Sequence, residues 1–185
     1  MQTRFLVLAV LAASPSFAFA QMPAQAPMKI GIAAGVQRGY DGVKRNYLDA
    51  IDKLSDADYA FKPTPDVRSF GQLWGHIANA QFNACSVAKG EANPNQGNDN
   101  ETKKTKAEFV KALRDSFAYC DPVYAALTDD TAVQLVKQGQ NEVARAVVLA
   151  NNVSHNNEIY GTAAVYMRLK GVVPPSTERM QQMRK

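Results

Sequence analysis

The sequence contains only two histidines, and they are its strongest candidates for chemistry. His76 and His155 each fall in the middle of a segment whose apolar residues have helical spacing, so both are predicted to face inward. A buried imidazole needs a partner for at least one ring nitrogen, which can be a metal ion, a carboxylate or a carbonyl. For either histidine taken alone, a hydrogen-bonded structural role is the simpler interpretation.

The sequence patterns of a hydrolase nucleophile and of a phosphate-binding loop are both incomplete. Ser154 stands beside a histidine and Ser176 lies near Glu178, but neither pair has a third residue or the strand-turn-helix context of a hydrolase nucleophile. Residues 31–35 lack the Lys-Ser/Thr ending of a phosphate-binding loop. The two histidines therefore remain the focus of any hypothesis about function.

The first twenty residues have the pattern of a secretory leader. Arg4 precedes an apolar run over residues 5–13, and Ala18-Phe19-Ala20 resembles a cleavage site. The run is shorter than the roughly 20 residues that span a bilayer. This predicts a signal peptide over residues 1–20, cleavage after Ala20 and a periplasmic or secreted protein without a membrane span. An uncleaved leader that anchors the protein is the alternative.

The rest of the chain predicts one domain. Residues 21–31 are expected to form a flexible lead-in, residues 32–175 a bundle and residues 176–185 a C-terminal tail. Without Arg4 the net charge falls from +4 to +3, and the basic residues are scattered. Their densest cluster, at positions 103, 104 and 106, is too weak for a nucleic-acid site, so no nucleic-acid partner is expected.

Two cysteines would reach an oxidising compartment after export. Cys85 and Cys120 lack the C-x-x-C spacing of thiol oxidoreductases. A disulfide between them is the favoured interpretation there, and two free thiols are the alternative.

Four long amphipathic segments predict an all-α helix bundle. A Ser69-x-x-Gln72 capping box begins the second, Pro122 is expected to kink or break the third, and Gly171 is expected to cap the fourth. Residues 128–139 are ambiguous, and no segment has convincing strand alternation. The predicted helices span residues 32–54, 69–88, 105–127 and 141–169.

Two motifs resemble the DinB-like family. Residues 68–78, Arg-Ser-Phe-Gly-Gln-Leu-Trp-Gly-His-Ile-Ala, look like its first motif, and residues 155–161 with 165–176 look like its last. The resemblance implies an up-down-down-up bundle in which helices two and three run parallel. Residues 90–104 would form the crossover, and Cys85 and Cys120 would stand at similar heights on the parallel helices.

Family members with the full site bind a divalent metal through three histidines, the last two arranged as His-x-x-x-His. The resemblance places His76 and His155 at the first two positions, with zinc or nickel as the expected ion, but the third position is Ile159. Glu158 is a substitute that points about 100° away around the helix. Weaker candidates carry amides and lie nearby: Gln81, Asn83, Asn151 and Asn152.

The resemblance leaves two functional hypotheses. The favoured one is a non-catalytic bundle with a degenerate metal site, which binds an unknown small molecule or an envelope protein. The alternative is a divalent-metal-dependent enzyme, a thiol transferase or hydrolase-like protein that uses His76 and His155. Trp74, Tyr160 and Tyr166 are candidates to line a pocket, although core packing is the simpler role for each. A homodimer is an open option, because no exposed apolar stripe identifies its interface.

Overall fold

Six α-helices, two short 3-10 helices (Ala57–Ala60 and Asn100–Thr102) and one short hairpin lie within residues 29–184, the part of the chain that the computed structural model describes. The predicted signal peptide and the lead-in as far as residue 28 lie outside these residues. None of these helices combines the length and apolarity needed to cross a membrane. The elements are α1 (Ile32–Ala50), α2 (Phe70–Lys89), α3 (Lys106–Ala125), α4 (Asp129–Ala132), β1 (Leu135–Gln138), β2 (Asn141–Ala144), α5 (Arg145–Leu169) and α6 (Pro175–Gln182).

The four long helices α1, α2, α3 and α5 form the predicted up-down-down-up bundle. α2 and α3 are parallel, and the segment between them returns the chain to the starting end. α1 is antiparallel to α3, and α5 is antiparallel to α2. Two contacts fix each direction. For α2 with α3 they are Gly71–Phe109 and Cys85–Cys120, and for α1 with α3 they are Tyr40–Asp121 and Tyr47–Phe117. For α5 with α2 they are Tyr166–Arg68, just before α2, and Asn152–Gln81.

Helix ends follow local sequence signals. The capping box at Ser69 is present, with the Ser69 hydroxyl and the Gln72 side chain each accepting a backbone N–H. Thr105 and Glu108 form a second capping box at the start of α3. Gly171 follows α5 with φ +73°, which fits the predicted glycine cap. α3 continues through Pro122 without a break, because the proline lies in the last turn and removes only one donor near the end.

The predicted fourth helix is too long at its start. α5 begins at Arg145, because residues 141–144 pair with β1 in an antiparallel hairpin. Gly139, with φ +62°, allows the two-residue turn, and Val136 pairs with Val143. Strands of four residues are too short to give a clear alternation of apolar and polar positions, which explains why the sequence carries no signal for a strand here.

The predicted C-terminal tail contains a helix that packs on α1. Arg179 in α6 bonds Asp49 at 2.7 Å, and Glu178 bonds Lys53 at 2.7 Å. These ion pairs hold residues 175–182 against the bundle.

The core between the four long helices is rich in aromatic side chains. Tyr47 and Trp74 are fully buried and meet edge to face with their ring centroids 5.0 Å apart. Each fully buried large apolar side chain contributes roughly 1.5–3 kcal/mol to folding. This core fixes the spacing of α2 and α5, the two helices that carry the histidines.

Candidate functional site

The two histidines face each other across α2 and α5. The Nε2 atoms of His76 and His155 lie 3.0 Å apart, and the ring planes cross at 73°. The side chains are 24% and 35% exposed, so the pair sits at the edge of the bundle rather than deep in its core. The prediction that both imidazoles face inward is therefore only partly right, because each side chain keeps a quarter to a third of its surface exposed.

Glu101, which the sequence analysis missed, orients the pair. Its Oε1 atom lies 2.7 Å from Nδ1 of His76, and its Oε2 atom accepts a 2.7 Å hydrogen bond from Nε of Arg68. The result is a continuous row of Arg68, Glu101, His76 and His155. One weak signal in the sequence points to Glu101. A crossover between two parallel helices must end beside the start of the first helix, and Glu101 is among the last residues of the crossover between α2 and α3.

Gly75 and Asn79 hold the crossover against α2. A Cβ atom at Gly75 would lie 2.3 Å from the carbonyl oxygen of Asn100, so only glycine permits this approach. One turn later, Oδ1 of Asn79 accepts hydrogen bonds from the backbone N–H and the side-chain amide of Asn100. Its Nδ2 donates to Asp99 at 2.8 Å. These contacts place Glu101 beside His76.

The hydrogen-bond row assigns the protons of the pair. An ionised Glu101 can only accept, so Nδ1 of His76 carries the proton of that contact, and in a neutral His76 ring the Nε2 atom is then an acceptor. Nε2–H of His155 then donates to it. Nδ1 of His155 faces Glu158 at 3.7 Å, which is too far for a hydrogen bond. Burial, and then the neighbouring His76, lower the pKa of His155, and Glu158 offsets part of this effect. Nδ1 of His76 and both Nε2 atoms are therefore partnered, whereas Nδ1 of His155 makes no hydrogen bond to the described residues.

The donor set does not fit a metal centre with three protein ligands. Ile159 fills the third position and is only 8% exposed. Glu101 is engaged at the opposite nitrogen of His76, while the Glu158 side chain is 76% exposed and faces Nδ1 of His155. Within residues 29–184, no three or more His, Cys, Asp or Glu side chains cluster so that they could hold a metal ion.

The weaker amide candidates also point elsewhere. Gln81 and Asn152 bond each other at 3.0 Å in the core, and Asn83 and Asn151 are exposed. Two imidazoles bound to zinc at about 2.0–2.1 Å in a tetrahedron would hold their nitrogens roughly 3.3 Å apart, so the observed pair would have to open slightly.

A cleft of about 620 Å³ opens beside Glu101, the partner of His76, and neither histidine lines it. Arg68, Glu101, Ile159 and Tyr166 are among its lining residues. The Tyr166 hydroxyl donates to the Arg68 carbonyl at 3.0 Å, which fixes one wall. Of the three aromatic candidates, Tyr166 lines this cleft, whereas Trp74 and Tyr160 are buried in the core.

The two cysteines form the favoured disulfide. Cys85 in α2 and Cys120 in α3 are joined, with Cα atoms 5.5 Å apart, and both are fully buried. The prediction of a Cys85–Cys120 disulfide is confirmed. It lies about 14 Å along α2 from His76, at 1.5 Å per residue, so it belongs to the scaffold rather than to the histidine site.

Comparison with known proteins identifies the relatives of this fold. The family model described as the DinB superfamily matches residues 40–161. A DinB-like protein from Bacillus cereus superposes with a TM-score of 0.64 at 17% identity, over 76% of this chain and 94% of that one. A DinB-like protein from Bacillus subtilis, YjoA, gives 0.60 at 19% identity, over 74% and 92%. No curated protein matches the chain significantly.

Proposed function

This chain belongs to the DinB superfamily, and from this we propose that it is an exported, non-catalytic binding protein whose metal site is degenerate. The observation that carries the proposal is Ile159, a side chain without a lone pair at the position one turn after His155. An ion held there by two imidazoles would need water for its remaining ligands, whereas catalytic zinc sites usually keep three protein ligands.

The contacts of the histidine pair support the same conclusion. Glu101 occupies one nitrogen of His76, and the two Nε2 atoms satisfy each other at 3.0 Å. A metal would have to displace this hydrogen bond before it could bind. We therefore expect zinc or nickel to bind weakly, and the pair to serve mainly to hold Glu101, which lines the cleft.

The cleft is the proposed binding place for a small polar molecule. Its volume of about 620 Å³ lies within the range of roughly 300–1,000 Å³ that small-molecule sites occupy. Arg68 and Glu101 supply paired charges, while Ile159 and Tyr166 supply apolar surface. A segment of an envelope protein is the other proposed ligand.

Metal titration of the mature protein tests the degenerate site. We expect weak zinc and nickel binding by calorimetry for the wild type, and at least 100-fold tighter binding for Ile159→His, which completes the His-x-x-x-His pair. Val165→His is the matched control, because it adds a histidine on an exposed position of the same helix. Near-stoichiometric metal in the purified wild type, lost in His76→Ala, would refute the proposal.

A divalent-metal-dependent enzyme is the second candidate, and Glu101 is the observation that favours it. Metal-ligating histidines usually donate their other ring N–H to a carboxylate, as His76 does here. In that case zinc or nickel would be held by His76, His155 and a displaced Glu158, and the resemblance implies thiol transfer or hydrolysis. Glu158→Gln distinguishes the two candidates, because it should weaken metal binding only if Glu158 is a ligand.

Export is the remaining part of the proposal. It rests on Arg4, the apolar run and the Ala18-Phe19-Ala20 site of the sequence. N-terminal sequencing of the protein from cell-envelope and medium fractions should begin at Gln21. A protein that starts at Met1 in the cytoplasmic fraction would contradict it.

A further inference from the structure

A second groove lies at the other end of the bundle from the histidines. It is bounded by the last turns of α2 and α3, by α4 and by the first residue of α5, and its volume is about 320 Å³. Lys89 at its edge follows His76 by thirteen residues in one helix, so the two sites are roughly 20 Å apart at 1.5 Å per residue. The groove is therefore separate from the histidine pair and from the cleft beside Glu101.

The floor of this groove is apolar and rigid. Ala88, Val123 and Leu127 are buried side chains that line it. The disulfide between Cys85 and Cys120 ties α2 to α3 one turn before Ala88 and Val123. A floor braced in this way is formed before any ligand arrives, which lowers the ordering cost of binding.

Arg145 gives one wall a positive charge without a partner. Its Nε atom is buried and has no hydrogen-bond partner, and no carboxylate of residues 29–184 lies within ion-pair distance of its guanidinium. The other cation of the groove, Lys89, is paired with Glu91 at 2.5 Å. Arg145 as a whole is half-buried, but a buried N–H of a charged group without an acceptor is costly, so a ligand that supplies the acceptor gains affinity.

The start of α5 adds to this positive field. Ala144 precedes the helix and offers no side-chain cap, and the first turn has no acidic residue. The first N–H groups of a helix carry part of its dipole, and here that positive end coincides with Arg145.

From the apolar floor and the unpartnered guanidinium, we propose that this groove binds a small amphiphilic carboxylate. The carboxylate pairs with Arg145, whose planar fork matches two carboxylate oxygens, and the hydrocarbon tail lies on Ala88, Val123 and Leu127. The site is independent of the histidine pair and of any metal.

Binding of three probes to the full mature protein tests the two halves of the site. Octanoate carries both the charge and the tail, octanol only the tail and acetate only the charge. We expect saturable octanoate binding by calorimetry, at least tenfold tighter than octanol and than acetate, with amide NMR shifts at Ala88, Val123 and Leu127. Octanol as tight as octanoate, or acetate as tight as octanoate, would overturn the proposal.

Substitutions then locate the charge. Arg145→Met should weaken octanoate binding at least tenfold and leave octanol binding unchanged. Arg45→Met is the matched control, because it removes an exposed arginine that lines a different groove, and it should bind octanoate like the wild type. Equal losses in both variants would show only a net-charge effect and would overturn the assignment of Arg145. The wild-type probe series remains decisive even if Arg145→Met does not fold.

Discussion

Gly75→Ala is the substitution that tests how the crossover positions the site. The new Cβ atom would lie 2.3 Å from the Asn100 carbonyl oxygen and 2.8 Å from the Glu101 nitrogen, where ordinary contact begins at 3.4 Å. The crossover backbone must therefore retreat by about 1 Å. The same movement stretches the 2.7 Å contact between Glu101 and His76 beyond hydrogen-bonding distance.

The expected cost follows from two opposing effects. Overpacking against backbone costs roughly 1–3 kcal/mol, while alanine gains about 0.5–1 kcal/mol over glycine inside a helix. We expect Gly75→Ala to lower the free energy of unfolding by about 1–2 kcal/mol. Urea unfolding followed by the fluorescence of Trp74, the single tryptophan, measures this change. NMR of the imidazole rings should also show loss of the Nδ1–H hydrogen bond of His76.

Gly161→Ala is the matched control within the same bundle. Gly161 lies inside α5 with no heavy atom near the position of a Cβ, so alanine there should stabilise the protein by about 0.5–1 kcal/mol. The two substitutions are chemically identical and are predicted to have opposite signs. If Gly75→Ala stabilises the protein as Gly161→Ala does, the close approach of the crossover and its role in placing Glu101 are both wrong.

Three further predictions concern the scaffold. The cysteines of the Cys85–Cys120 disulfide are 35 residues apart, so its reduction should lower the free energy of unfolding by about 4 kcal/mol on the chain-entropy estimate. Urea unfolding with and without dithiothreitol measures this change. A decrease of less than about 1 kcal/mol would contradict the prediction. Asn156→Leu should raise the melting temperature, because Oδ1 and Nδ2 of this buried side chain lack a partner among the described residues. A lower melting temperature would contradict this and would mean that buried water satisfies the two atoms. Burial, and then the hydrogen bond and charge of Asp121, raise the pKa of Tyr40, so the folded protein keeps this proton after an unfolded chain has lost it. Stability should therefore fall as the pH rises above about 10, less steeply in Tyr40→Phe, and a stability that rises there would refute the assignment.

Local signals in the sequence predicted much of the fold. Apolar spacing predicted the four long helices, and Ser69-x-x-Gln72 and Gly171 predicted two of their ends. The hairpin and α6 were missed because their formation depends on contacts with distant residues. Pairing of β1 with β2, and the ion pairs of Arg179 with Asp49 in α1 and of Glu178 with Lys53 just after α1, stabilise segments that have little signal of their own.

The candidate site was predicted only in part. His76 and His155 are the only two histidines, and the family resemblance joined them and placed Ile159 at the missing third position. Glu101 could not be assigned, because an acidic residue in a polar loop has no distinguishing pattern. Its contact with His76 exists only because Gly75 lets the crossover approach α2.

Residue identity and helical periodicity are local properties, so the amino-acid sequence was enough to single out the two histidines and the helices that carry them. How these side chains meet each other and Glu101 depends on the tertiary structure. The two imidazoles are 79 residues apart in the chain and 3.0 Å apart in space. Arg145 likewise meets its groove only where the ends of α2, α3 and α5 converge beside α4. Such distances depend on how the helices pack, and packing is a property of the whole core rather than of any segment.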